Sequence, residues 1–131
     1  MLLAFHIKID IIIMEFEIKL YKDSSGKHPI EDFLLKLAET NEILFSQTTK
    51  GLEKLRNRAY HKEPLSKYLE PGLWELRIKA GSDILRIIYT FAKGQLIILL
   101  HIFIKKTQKV TRKELEMARK RLKEIKMKEA N

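Results

Sequence analysis

The 131-residue chain contains no cysteine. That excludes a disulfide framework, a thiol nucleophile and a thiolate metal site, and is compatible with a reducing cytosol. Glycine and proline are scarce, five and three residues, while 45% of the chain is hydrophobic. This is the composition of one folded domain rather than of a disordered or low-complexity segment. No run is long and apolar enough to span a membrane. Residues 2–13, LLAFHIKIDIII, are interrupted by His6, Lys8 and Asp10. They lack the basic leader and small-residue cleavage site of a signal peptide, so a cytoplasmic protein is expected. There is no P-loop and no G-x-G-x-x-G. The four histidines lack zinc-site spacing, and no serine sits in a nucleophile elbow.

What is present centres on residues 73–106, LWELRIKAGSDILRIIYTFAKGQLIILLHIFIKK. Two turn signals, at Ala80–Asp83 and Ala92–Gln95, divide it into three runs, roughly 73–80, 84–92 and 95–104. Each is rich in Ile, Leu and aromatic residues and is of strand length, which predicts an antiparallel meander. The second and third runs are apolar at nearly every position, as in strands buried on both faces.

Upstream, Phe5, Ile7, Ile9, Ile11 and Ile13 alternate with polar residues, a strand pattern. Phe16, Ile18 and Leu20 continue it on the opposite parity, which requires a break near Met14. Met14 is therefore a candidate native start, with 1–13 an N-terminal extension. His28-Pro29 opens a helix, with Pro29 in the first turn and Glu31 and Asp32 suited to the helix dipole. Phe33, Leu34 and Leu37 form its buried side. Thr40 or Asn41 caps a second helix to about Arg58, with Ile43, Leu44, Leu52 and Leu55 inward. Gly51 weakens that helix by up to ~1 kcal/mol relative to Ala. Residues 61–72 read as a loop holding Pro64, Pro71 and Gly72. After the meander, Thr111-Arg112-Lys113-Glu114 is a capping box. Leu115, Ala118, Leu122 and Ile125 then form the stripe of an amphipathic helix. The predicted fold class is α+β: an antiparallel-rich sheet, an N-terminal helical hairpin and a C-terminal amphipathic helix.

Charge is concentrated late in the chain. The formal net charge is +9, and residues 105–128 alone carry eleven Lys or Arg against three Glu. Such a patch points to a polyanionic partner, or to a solvated helix face. Within the meander, Arg77, Lys79, Arg86, His101, Lys105 and Lys106 could together hold a phosphodiester. Arginine grips phosphate bidentately, and a crowded lysine loses its proton more readily. Each has a plainer reading. Arg77 and Lys79 share strand parity with Glu75 and could form an exposed face. Arg86 lies between Ile84, Leu85, Ile87 and Ile88, where a charge must either pair with a carboxylate such as Glu75 or line a cleft. The cleft is the working expectation. His101, among Leu99, Leu100, Ile102 and Phe103, fits a hydrogen-bonded core histidine. Lys105 and Lys106 could be a solvated corner.

Several ordered motifs resemble the RelE/ParE toxin superfamily, in particular its HigB-like, phage-protein-like branch. They are GLWELR at 72–77, RIIY at 86–89, LLHIFIKKT at 99–107 and FEIKLYKDSSGKHPIEDFL at 16–34. The helix from Thr111 with Ala118 is also similar. The resemblance runs from about Met14 to Lys126. It implies a RelE-like fold and a toxin of a type II toxin–antitoxin system, specifically a ribosome-dependent mRNA endonuclease. In such enzymes the RNA's own 2′-OH attacks the adjacent phosphate, so no metal or other cofactor is implied. The implied partners are the ribosome, mRNA and a HigA-like helix-turn-helix antitoxin, with operator DNA bound only through the antitoxin complex.

Carried over by position, Arg86 would stabilise the transition state, Arg77 would clamp phosphate, and Lys105 or Lys106 would act as acid or base. Lys79, His101, Lys109, Arg112 and Arg119 would bind substrate. Glu75 stands where RelE has a basic residue, and the C-terminal helix lacks the tyrosine that RelE uses. Two other readings stay open: a ParE-like inhibitor of DNA gyrase, and a basic module that binds nucleic acid without cutting it.

Overall fold

The computed structural model describes residues 15–104 and 109–130. The elements follow in order β1 (Glu17–Leu20), α1 (Pro29–Thr40), α2 (Glu42–Leu55), a 3-10 turn (Arg58–Tyr60), β2 (Ser66–Glu70), β3 (Leu73–Ala80), β4 (Asp83–Ala92), β5 (Leu96–Ile104) and α3 (Arg112–Ala130). The five strands form one sheet in the order β1-β5-β4-β3-β2. The expected α+β class and the β3–β4–β5 meander are both observed. The earlier expectations for residues 5–13 and for Met14 lie outside the described residues.

β4 and β5 are apolar at nearly every position because the sheet is covered on both faces. Against one face, α1 and α2 bury Ile30, Leu37, Leu44 and Leu55 on Leu76, Ile78, Leu85, Ile87, Tyr89, Ile97 and Leu99. Against the other, α3 lays Ala118, Leu115, Leu122 and Ile125 on Leu73, Ile88, Leu100 and Phe103. Each fully buried aliphatic side chain contributes about 1.5–3 kcal/mol, so the two layers supply most of the driving force for folding.

β5 carries an irregularity that decides which face its polar residue meets. Ile88 pairs with His101 but Tyr89 pairs with Leu99, leaving Leu100 as an extra residue. Leu99 and Ile102 belong to the helical-hairpin core. Leu100 packs toward α3, and so does His101, which contacts Glu114 and Arg121. A bulge of this kind re-aims the side chains beyond it.

The structure departs from the sequence expectations in three places, and β1 adds a parallel pairing to the antiparallel-rich sheet that was expected. Residues 61–72 are not all loop: Ser66–Glu70 is the edge strand β2, paired antiparallel with β3. Its alternation is obscured by a register shift between Tyr68 and Glu70, and Pro71-Gly72 forms the tight connection, with Gly72 at φ +84. β1 pairs with β5 in parallel, so the sheet is mixed. α2 ends at Leu55, before Arg58. Ile43 is 72% exposed, because the buried line on α2 runs through Leu44, Thr48, Gly51 and Leu55. Asn41 is the cap, its side chain accepting from the Leu44 N–H.

Gly51 is a packing residue. A Cβ at this position would stand 2.2 Å from Cδ1 of Ile78. Gly51→Ala gains up to ~1 kcal/mol of helix propensity but must displace Ile78 in a filled interface, which costs ~1–3 kcal/mol. Urea denaturation is expected to show a net loss of about 1 kcal/mol, the reverse of the propensity trend.

Candidate functional site

In the β3–β4 ladder Arg77 stands directly opposite Arg86. Like charges facing each other across two strands repel, and Arg86 is 1% exposed. Glu75 resolves the conflict. It lies two residues before Arg77 on the same face of β3 and is fully buried. Its Oε1 accepts from Arg77 Nε, and both carboxylate oxygens lie 3.3 Å from Arg86 Nη1. One buried carboxylate thus serves two guanidiniums. Arg86 is therefore the paired arginine, not the open-cleft residue expected from sequence. Arg77 is the member of the trio that reaches solvent, with a side chain 28% exposed.

Arg77 opens onto a groove at the outer edge of the sheet. β2 pairs with β3 only as far as Leu76. Beyond it, the Leu65 carbonyl accepts from the Arg77 N–H, and residues 62–66 turn back on themselves, the Ser66 N–H donating to the Lys62 carbonyl. A groove of about 510 Å³ results, lined by Lys54, Tyr60, Glu63, Pro64 and Leu65 on one side and Arg77 and Lys79 on the other. The Lys54 ammonium stands 5.8 Å from the centroid of the Tyr60 ring, which is 41% exposed. Three cations, one carboxylate and one aromatic ring share this space.

The structure therefore unites Arg77 and Lys79 and adds Lys54, Tyr60 and Glu63, which carried no sequence signal of their own. It does not bring every sequence candidate here. Arg119 is bound bidentately to Glu70, at 2.9 and 2.6 Å, holding α3 to the end of β2. That bond keeps the Glu70 carboxyl below the usual carboxylate range. Arg112 is 89% exposed and pairs with Glu116. Lys109 is exposed. Lys105 and Lys106 lie outside the described residues.

His101 lies against the inner side of α3 and stacks on Phe103. Its Nε2 is 3.4 Å from Glu114 Oε1, without hydrogen-bond alignment. Arg121 donates to the Leu100 carbonyl and lies 3.4 Å from His101 Nδ1. Burial is the main cause that lowers the imidazole pKa, Arg121 adds to it, and Glu114 opposes both. Among the described residues, no three His, Asp or Glu side chains assemble into a metal site.

Residues 32–123 match the family described as phage derived protein Gp49-like (DUF891). The chain belongs to this family. It is a toxin-like family of the RelE/HigB type. No curated relative matches the chain. Among the described residues no helix is long and apolar enough to cross a membrane.

Two predictions follow from the geometry of the trio and of His101. Glu75→Ala strands two facing arginines and is expected to cost about 3–5 kcal/mol in urea denaturation. The double variant Glu75→Leu/Arg86→Met should recover most of that loss, because it removes all of the buried charge except Arg77. For His101, the folded state favours the neutral ring, so the unfolded chain binds the proton more tightly. Its contribution to stability is complete above the free-imidazole pKa of ~6.5 and falls as pH drops below it. Urea midpoints measured at pH 7.5 and 5.5 should therefore differ less in His101→Gln than in the wild type.

Proposed function

We propose that this chain is the toxin of a type II toxin–antitoxin pair and acts as a ribosome-dependent mRNA endonuclease. The observation that supports this reading best is Arg77, oriented by a buried carboxylate at the mouth of a basic groove with an aromatic wall. A guanidinium fixed in advance needs little reorganisation to meet the extra charge of a pentacoordinate phosphate. In the proposed reaction the 2′-O–P bond forms as the P–O5′ bond breaks. The products are a cyclic phosphate and a free 5′-hydroxyl. A base takes the 2′-OH proton, and an acid protonates the departing O5′.

Arg77 is the phosphate clamp, and Lys79 and Lys54 hold the flanking backbone. Arg86 acts through Glu75 as a positioning residue. Lys105 and Lys106 are the candidates for acid and base. The partner is an antitoxin of the HigA-like helix-turn-helix kind, through which the pair reaches operator DNA, and the site of action is the cytoplasm.

The burial of Arg86 changes which substitution is informative. Arg86→Ala breaks a buried pair and confounds folding with activity. Arg77→Ala leaves the Glu75–Arg86 pair intact. Primer extension on mRNA from cells pulsed with the wild type is expected to show in-frame cuts confined to translated regions. Arg77→Ala should reduce cutting by about 10²–10³-fold, as for loss of one transition-state donor. Arg77→Lys should recover only part of it, since the planar fork is gone. Full cutting by a folded Arg77→Ala would reject this site. Growth arrest with intact mRNA would reject the nuclease reading in favour of gyrase inhibition.

A further inference from the structure

The groove beside Arg77 contains one group that phosphate binding does not explain. Lys54, Arg77 and Lys79 are donors only, whereas the Glu63 carboxylate accepts only. A carboxylate beside a phosphate track lowers affinity for the RNA backbone. Glu63 is exposed and takes part in none of the ion pairs among the described residues. It is therefore not consumed in neutralising its cationic neighbours. Tyr60, three residues earlier and on the same wall, offers a ring on which any base can stack.

We infer that this groove binds one nucleotide of single-stranded RNA with its base on Tyr60, and that Glu63 makes guanine the preferred base. The inference rests on the proposed reading of the groove as an RNA site and adds a specificity to it. Its chemistry is donor counting. The Watson–Crick edge of guanine presents N1–H and N2–H₂ side by side, a pair of donors that one carboxylate accepts together. Adenine and cytosine present one amino donor beside a ring acceptor. Uracil presents N3–H between two carbonyl oxygens, which the carboxylate repels. The expected order is guanine first, adenine and cytosine next, uracil last. A matched pair of hydrogen bonds of this kind discriminates by roughly five- to 150-fold.

The test uses the full-length protein and four fluorescent heptamers, UUU-N-UUU, read by anisotropy at fixed salt. The wild type should bind the guanine heptamer about ten-fold tighter than the uracil one. Glu63→Gln separates base reading from simple repulsion. If the carboxylate only repels phosphate, the variant binds all four RNAs more tightly and keeps their ratios. If it reads the base, uracil binding strengthens, guanine binding weakens, and the ratio falls below about three. Tyr60→Leu should weaken all four by about ten-fold without changing their order. Equal wild-type affinities, no binding at all, or an unchanged ratio in Glu63→Gln would each overturn the inference. Failure of the wider reading is distinct: guanine-selective binding with no mRNA cut in cells would reject the nuclease and leave the base reader standing.

Discussion

The buried carboxylate of Glu75 is the constraint around which the sheet face is arranged. The β3–β4 register places Arg77 and Arg86 opposite each other, and burial of Arg86 removes the water that would otherwise screen them. One anion between two cations converts a repulsive crossing into a bound trio. Of the two guanidiniums, that of Arg77 is the one that reaches solvent. The trio is thus structural at Arg86 and available at Arg77, and one side chain, Glu75, separates the two roles. Buried ion pairs contribute little net stability compared with apolar replacements, so the benefit lies in orientation.

A second constraint comes from covering the sheet twice. The α1–α2 hairpin fills one face almost completely, and the β4 and β5 residues turned to it, Leu85, Ile87, Tyr89, Ile97, Leu99 and Ile102, are all apolar. α3 covers the other face with a narrower stripe, supplemented by polar ties: Arg119 to Glu70, Arg121 to the Leu100 carbonyl and Tyr21 to Glu124. Burial, with the Glu124 contact adding to it, pushes the pKa of the Tyr21 hydroxyl up to about 12. The charged residues of the meander can be tolerated only on this less completely filled face. The bulge at Leu100 brings His101 to the same side, where an unbroken alternation would have turned it into the helical-hairpin core.

Much of this was legible in the sequence because it is local. Aliphatic runs separated by Gly turns marked β3, β4 and β5. Pro29, Asn41 and the Thr111–Glu114 box marked helix starts. The isolated charge of Arg86 among isoleucines signalled that it had to be paired or functional, and Glu75 was visible as a possible partner. Which alternative held depended on register, which no local pattern encodes. β2 was hidden because SKYLE is polar, short and bulged, as an edge strand can be. The groove was hidden for a stronger reason. Its walls come from the end of α2, the 3-10 turn with the residues after it, and the last residues of β3. Those segments meet only because β2 stops pairing at Leu76.

That early stop has a bearing on solubility as well as on recognition. An unpaired strand edge is a template for joining another chain, and the outer edge of β3 beyond Leu76 would be one. The Leu65 carbonyl takes the first N–H beyond Leu76, that of Arg77, and Pro64 beside the groove offers no N–H to an incoming strand. The wall of the groove is therefore also the guard of the edge. Remodelling residues 61–65 for a different ligand would expose β3 to its own copies, so the two properties cannot be varied independently.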